Sequence, residues 1–257
     1  MESIMLKWGL ILKSLGLTLI LLVIRFLFDS LNLDILTLST LVTAFIGGAI
    51  FTVAIIFTGT LADYKESERI PGEMAASIRA LFIESNFYRQ DPGFVAGMQQ
   101  HVFDLLATIN SNFRGNTWDA RKIGSAMEAV NRDIITLIDR NVAPPMIVKL
   151  RAELTSIDRI SNRIRQIAET SFIPAAYSIA ELATAAVIIL LFFVKLELVE
   201  GFVLFTVLSM LLIALILLIK DMDNPFEVGK HTFADIDLFL LFELEEELKG
   251  SLAVNKD

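Results

Sequence analysis

Polar and apolar positions fall into long blocks along this chain rather than into a fine alternation. Four stretches carry few or no charges: residues 10–28, 36–61, 172–194 and 201–219. A helix rises about 1.5 Å per residue, so each is long enough to cross a hydrocarbon core of about 30 Å. The pattern predicts four membrane-spanning helices. The second, residues 36–61, has 26 residues and no formal charge. Thr and Ser recur through it, and the Gly47-Gly48 pair would let another backbone come close. Lys13 and Arg25 stand near the two ends of the first span, where cationic side chains reach the interfaces with their stems in lipid.

Residues 62–171 follow another rule. Charges are dense there, and apolar residues return every three or four positions: Ile134, Leu137, Ile138, then Leu150, Leu154, Ile157, Ile160, Ile164 and Ile167. That period predicts amphipathic helices of a bundle. Pro71-Gly72 is expected to open the first. Asp91-Pro92 reads as an N-cap followed by proline in the first turn of the second. Asn116-Thr117 is expected to cap a third, and Pro144-Pro145 to interrupt before a fourth.

The expected architecture is an all-α membrane protein with two transmembrane hairpins, residues 1–61 and 172–220. A helical domain, 62–171, lies between them, and a C-terminal segment, 221–257, begins at the Asn224-Pro225 turn. Composition agrees. Of 257 residues 54% are hydrophobic, with a mean hydropathy of +0.63, which a soluble domain seldom reaches. The first apolar stretch is long and no small-residue cleavage pattern follows, so it reads as a retained span. Residues 62–171 hold 14 Lys and Arg, whereas the connection at 29–35 holds none. The positive-inside rule puts both termini and 62–171 in the cytoplasm, with a cell inner membrane as the simplest host.

Charge and chemistry narrow the function classes. Net charge is −8, with Lys and Arg interleaved among acids, so nucleic-acid binding is not expected. Without cysteine there is no disulfide framework and no thiol nucleophile. There are two histidines, and no HExxH, GxSxG or P-loop pattern occurs. Acid pairs such as Glu66 and Glu68 fall in water-rich stretches without a partner site. No enzyme, cofactor or metal is expected.

Four motifs add a more specific reading. They are VIRFLFDSL at 23–31, DYKESERIPG at 63–72, SFIPAAYS at 171–178 and DNPFE at 223–227. In this order, with two spans on each side of a helical body, they resemble the bestrophin family of ion channels. The resemblance implies a homo-oligomer, a pentamer, whose second helices ring a central pore. A hydrophobic neck would lie in the membrane and a second constriction in the cytoplasm. The expected partners are further copies of the chain, membrane lipid and chloride or other small monovalent ions. A different class stays open from the residues: a non-conducting membrane scaffold or sensor whose cytoplasmic helices bind a partner.

Site residues follow from both lines. Ile46, Ala49, Ile50, Val53 and Phe57 share one face of the second span by the 3.6 period. The resemblance makes such a stripe the pore neck, where apolar rings gate by dewetting. From the residues alone it is equally a lipid-contact or helix-contact face. Ile173 precedes Pro174; the pair marks a helix start, and the resemblance makes Ile173 the cytoplasmic constriction. Glu181 is the one acid well inside a span, on a face with Tyr177, Ser178 and Thr184. It needs a partner or water, and reads as a protonated, hydrogen-bonded structural group or a permeation group. Arg25 and Lys195 read as snorkelling anchors, or as groups that attract anions. In eukaryotic bestrophins the turn at DNPFE holds calcium with an acidic run after it. Lys230 and His231 stand there instead, so no metal site is expected. The acidic run 243–247 reads as a solvated helix face.

Overall fold

A computed structural model of the chain describes residues 2–169, 174–195, 198–223, 225–226 and 233–254. Eight α-helices account for most of them: α1 Glu2–Ser30, α2 Thr40–Glu84, α3 Pro92–Arg114, α4 Ala120–Asp139, α5 Pro144–Glu169, α6 Pro174–Phe193, α7 Leu198–Met222 and α8 Phe239–Val254. Two strands, β1 Leu36–Thr37 and β2 Val194–Lys195, pair in parallel with Leu36 opposite Val194 and Thr37 opposite Lys195. Segments of α1, α2, α6 and α7 are long and apolar enough to span a membrane: Trp8–Ser30, Thr40–Phe87, Ala175–Phe193 and Gly201–Met222.

The chain divides into two compact units. The first takes Met1–Tyr64, Ser171–Pro225 and Gly229–Ala234. In lipid the hydrophobic effect gives helices no reason to associate, so close packing must hold them. Helix α1 meets this demand with small hydroxyl residues. Ser14 and Thr18 are buried, and their hydroxyls donate to the Ile11 and Ser14 carbonyls at 2.9 and 2.8 Å. Larger side chains fill the rest. Val187, Leu191, Phe192, Phe205 and Leu212 form one cluster, with Phe28 of α1 against it. Val53, Ala180 and Ile219 form another, joining α2, α6 and α7.

Arg25 departs from the anchoring role expected of it. It is 4% exposed. Its guanidinium donates to the Phe192 carbonyl at 2.5 Å and the Leu191 carbonyl at 3.2 Å, and it reaches Asp29 on its own helix at 3.4 Å. The last carbonyls of a helix have no intrahelical partner. Arg25 therefore caps the C-terminus of α6 from α1, a buried task that a snorkelling side chain does not perform.

The second unit takes Lys65–Thr170, Phe226–Val228 and Asp235–Asp257. Its core is the aligned apolar stripes of its helices, among them Met74 and Ile78 of α2, Leu105 and Ile109 of α3, Ile134 and Leu137 of α4, and Ile157 and Ile164 of α5. Leu241, Leu244 and Leu248 of α8 are also buried. Ile138, expected with the stripe, is exposed instead. Asp91 caps α3 as its sequence indicates, accepting from the Phe94 N–H at 3.0 Å. That amide, with the Arg140 guanidinium at 2.8 Å, holds the Asp91 carboxyl below its ordinary value.

Four sequence expectations give way here. Pro71 opens no helix but lies inside α2. An interior proline costs a helix about 3 kcal/mol or more; buried Ile70 and Met74 on either side give this turn a reason to persist. The cap of α4 is Asp119, which accepts from the Arg121 and Lys122 N–H groups at 3.1 and 3.2 Å, and not Asn116-Thr117. Asn116 has a positive φ of 48° just after α3 ends. The acidic run of α8 is not simply solvated. Glu245 accepts from Asn110 and Arg114, each at 2.7 Å, Glu247 pairs with Arg79, and both ties dock α8. Glu66 also has a partner, since Arg163 grips it at 3.2 and 2.9 Å.

Candidate functional site: the two faces of helix α2

The membrane part of α2 has two apolar faces with different surroundings. The stripe expected from periodicity is the inner one. Ile46, Ala49 and Ile50 pack on the cluster around Leu191 and Phe205. Val53 is 0% exposed between Ala180 and Ile219, and Phe57 packs beside it. So the five residues share a face, as the 3.6 period requires, and within one chain that face holds α2 against its own unit.

The outer face carries Phe45, Gly48, Phe51 and Ile55. Phe51 is 67% exposed and Ile55 57%. They are four residues apart, one turn of helix. No described atom lies within 4 Å of where a Cβ at Gly47 or Gly48 would stand, so the glycine pair opens onto free space. The Thr52 and Thr58 hydroxyls donate to the Gly48 and Ala54 carbonyls at 2.9 and 2.8 Å. Hydroxyls satisfied in this way add little polarity to the helix surface. The result is an uncharged, mostly bulky surface with nothing of its own unit over it.

Sequence periodicity gives the stripe a phase but no direction. Either face of such a helix is apolar, because lipid and protein interior demand the same residue types. The spacing of Phe51 and Ile55 was a signal of equal strength.

The polar groups gather between α6 and α7. Glu181 forms an ion pair with Lys220, and both side chains are about half exposed. One turn away the Tyr177 hydroxyl donates to Asp223 at 2.6 Å. The partner that an intramembrane acid requires is thus a lysine near the end of the next helix. Lys220 had not been singled out in the sequence, although it is the only base between residues 201 and 223. Asp221 accepts from the Phe233 N–H at 2.5 Å. Ile173, Asn224, Glu227, Lys230 and His231 lie outside the described residues. Among the described residues no three acids or histidines gather as a metal site would need.

No family model matches the chain, and no curated protein does. Solved structures do match. A bacterial bestrophin homologue from Klebsiella pneumoniae carrying a point substitution shares 12% identity at a TM-score of 0.74, over 96% of this chain and 98% of that one. The same homologue phased on zinc gives 11% identity and a TM-score of 0.75, over 95% and 98%. A crystal structure described as a membrane protein gives 12% and 0.79, over 95% and 98%. The chain therefore has a bestrophin-like fold, all-α and with four apolar helices of spanning length.

Proposed function

We propose that this protein is a homopentameric ion channel of a cell inner membrane. It passes chloride or other small monovalent ions along a central axis lined by α2. Both termini and the helical unit built on residues 65–170 face the cytoplasm, in keeping with their Lys and Arg content.

One observation carries the reading. Helix α2 is packed against its own unit on one side and leaves a charge-free face bare on the other, with Val53 at 0% exposure and Phe51 at 67%. A ring of such helices with the bare face inward makes a collar of Phe51 and Ile55. Apolar constrictions of this kind gate by dewetting. The neck assigned from sequence to Ile46, Ala49, Ile50, Val53 and Phe57 then belongs to the packing side. The shared fold with bestrophin homologues supports the same architecture.

The test is a planar bilayer containing the purified protein under a KCl gradient. Channel currents are expected, and their reversal potential gives the ion sign. Silence across voltage and pH would overturn the proposal and favour a scaffold.

A further inference from the structure

A small cleft of about 280 Å³ opens in the second unit, where the 3₁₀ turn Ser85–Phe87 leads into α3. That is close to the lower bound of ligand clefts, about 300 Å³. Its polar lining is Asn86, Tyr88, Arg89 and Gln99, and Pro92 and Ala96 are among its apolar walls. The lining contains a guanidinium, two amides and a phenol, and no carboxylate.

Charge balance around the cleft is uneven. Glu84 is taken by Lys149 at 2.5 Å. Asp91 is taken by Arg140 at 2.8 Å. The Arg140 guanidinium also lies over the Phe94 ring at 4.3 Å and the Tyr88 ring at 5.4 Å. Arg89, at the cleft, pairs with no acid among the described residues.

The walls are already fixed. Tyr88 stands edge-on to Phe94 with ring centroids 5.9 Å apart. Gln99 is 1% exposed, and its Nε2 donates to the Phe82 carbonyl at 3.3 Å. A ligand would meet a preformed surface and owe little for ordering it.

We infer that this cleft binds a small organic carboxylate with a flat or apolar body. The carboxylate would pair with Arg89, whose planar fork matches it in two parallel hydrogen bonds. The body would lie between Tyr88 and the Pro92–Ala96 wall. Inorganic phosphate fits less well: it could meet the Arg89 fork, but it has no body to cover the apolar Pro92–Ala96 wall. This inference is independent of ion conduction.

The test uses the full chain in detergent, titrated calorimetrically with sodium benzoate against protein-free micelles. Benzyl alcohol and inorganic phosphate serve as the uncharged and the non-aromatic probes. Benzoate is expected to saturate one site per chain, with both other probes weaker. Arg89→Gln should weaken benzoate about tenfold or more, the scale of a lost charge-assisted pair. Ala96→Phe, which fills the cleft and leaves the charge, should weaken it likewise. Arg89 and Ala96 are both exposed, so neither change threatens the core. Absence of saturable binding, indifference to both substitutions, or phosphate bound as tightly as benzoate would each overturn the assignment.

Discussion

The Arg25 guanidinium of α1 donates to the Phe192 carbonyl at the end of α6, 2.5 Å away and shielded from solvent. An arginine within a membrane span is costly unless its donors are satisfied. Here they satisfy carbonyls that would otherwise be orphaned in an apolar setting, with Phe28, Phe192 and Phe205 close by. Arg25→Met is expected to lose about 2–3 kcal/mol, the worth of hydrogen bonds to a charged group. Arg25→Lys, lacking the fork, should recover only part. Thermal unfolding in detergent reads both.

The two faces of α2 predict opposite phenotypes. Val53→Ala opens a cavity against Ala180 and Ile219 and should cost about 1–2 kcal/mol. Conductance per assembled channel should change little. Phe51→Ala and Ile55→Ala should leave stability within about 0.5 kcal/mol and raise conductance or open probability. Paired melting curves and bilayer recordings separate the faces. If Val53→Ala changes permeation and Phe51→Ala does not, the assignment is reversed.

Acid should loosen α8. Burial alone would raise the Glu245 carboxyl, but hydrogen bonds from Arg114 and Asn110 outweigh it and hold the group below its ordinary value of 4.5. A carboxyl depressed in the folded state stabilises above its unfolded pKa. That contribution fades as pH falls below about 4.5 and is gone beneath the folded value. Asp91 and Asp119 are depressed too and act with the same sign. The diagnostic is therefore a difference: urea midpoints of Glu245→Gln should be lower at neutral pH and converge with the unaltered protein in acid.

Glu181 and Lys220 should be coupled. Glu181→Lys places two cations side by side in an apolar region and should sharply reduce membrane insertion or assembly. The double exchange, Glu181→Lys with Lys220→Glu, should restore it. A double exchange no better than the single change would show that the ion pair is incidental.

A tighter constraint lies at Gly9. A Cβ there would overlap the Phe233 ring, which also lies 4.7 Å from the Lys13 ammonium. Gly9→Val should expel the ring, forfeiting a cation–π contact worth about 0.5–1 kcal/mol. Chymotryptic cleavage after Phe233 should then accelerate.

The residue pattern made some of this legible and hid the rest for physical reasons. Four long apolar blocks with few or no charges were enough for the spans, because runs of that length are what crossing a bilayer demands. Asp91-Pro92 announced its helix, since a capping acid followed by proline suits a helix start and an amphipathic run follows it. Pro71 misled because local chemistry favours a break there, and only burial on both flanks shows why none occurs. Arg25 and Phe192 are far apart in the chain, so nothing local could reveal a cap supplied from another helix. At α2 the difficulty was symmetry. A 3.6-residue stripe gives a phase, but when both faces are apolar it does not give a direction.

The short parallel ladder of Leu36–Thr37 with Val194–Lys195 has a bearing on biosynthesis. Its halves are separated in the chain by α2 to α6, so a ribosome must deliver Lys195 before the ladder can close. Until then the first hairpin waits with the backbone of Leu36 and Thr37 unzipped. Closure of this clasp stitches an early hairpin to a late one, and it sets the point in synthesis at which the membrane unit stops being two loose pieces.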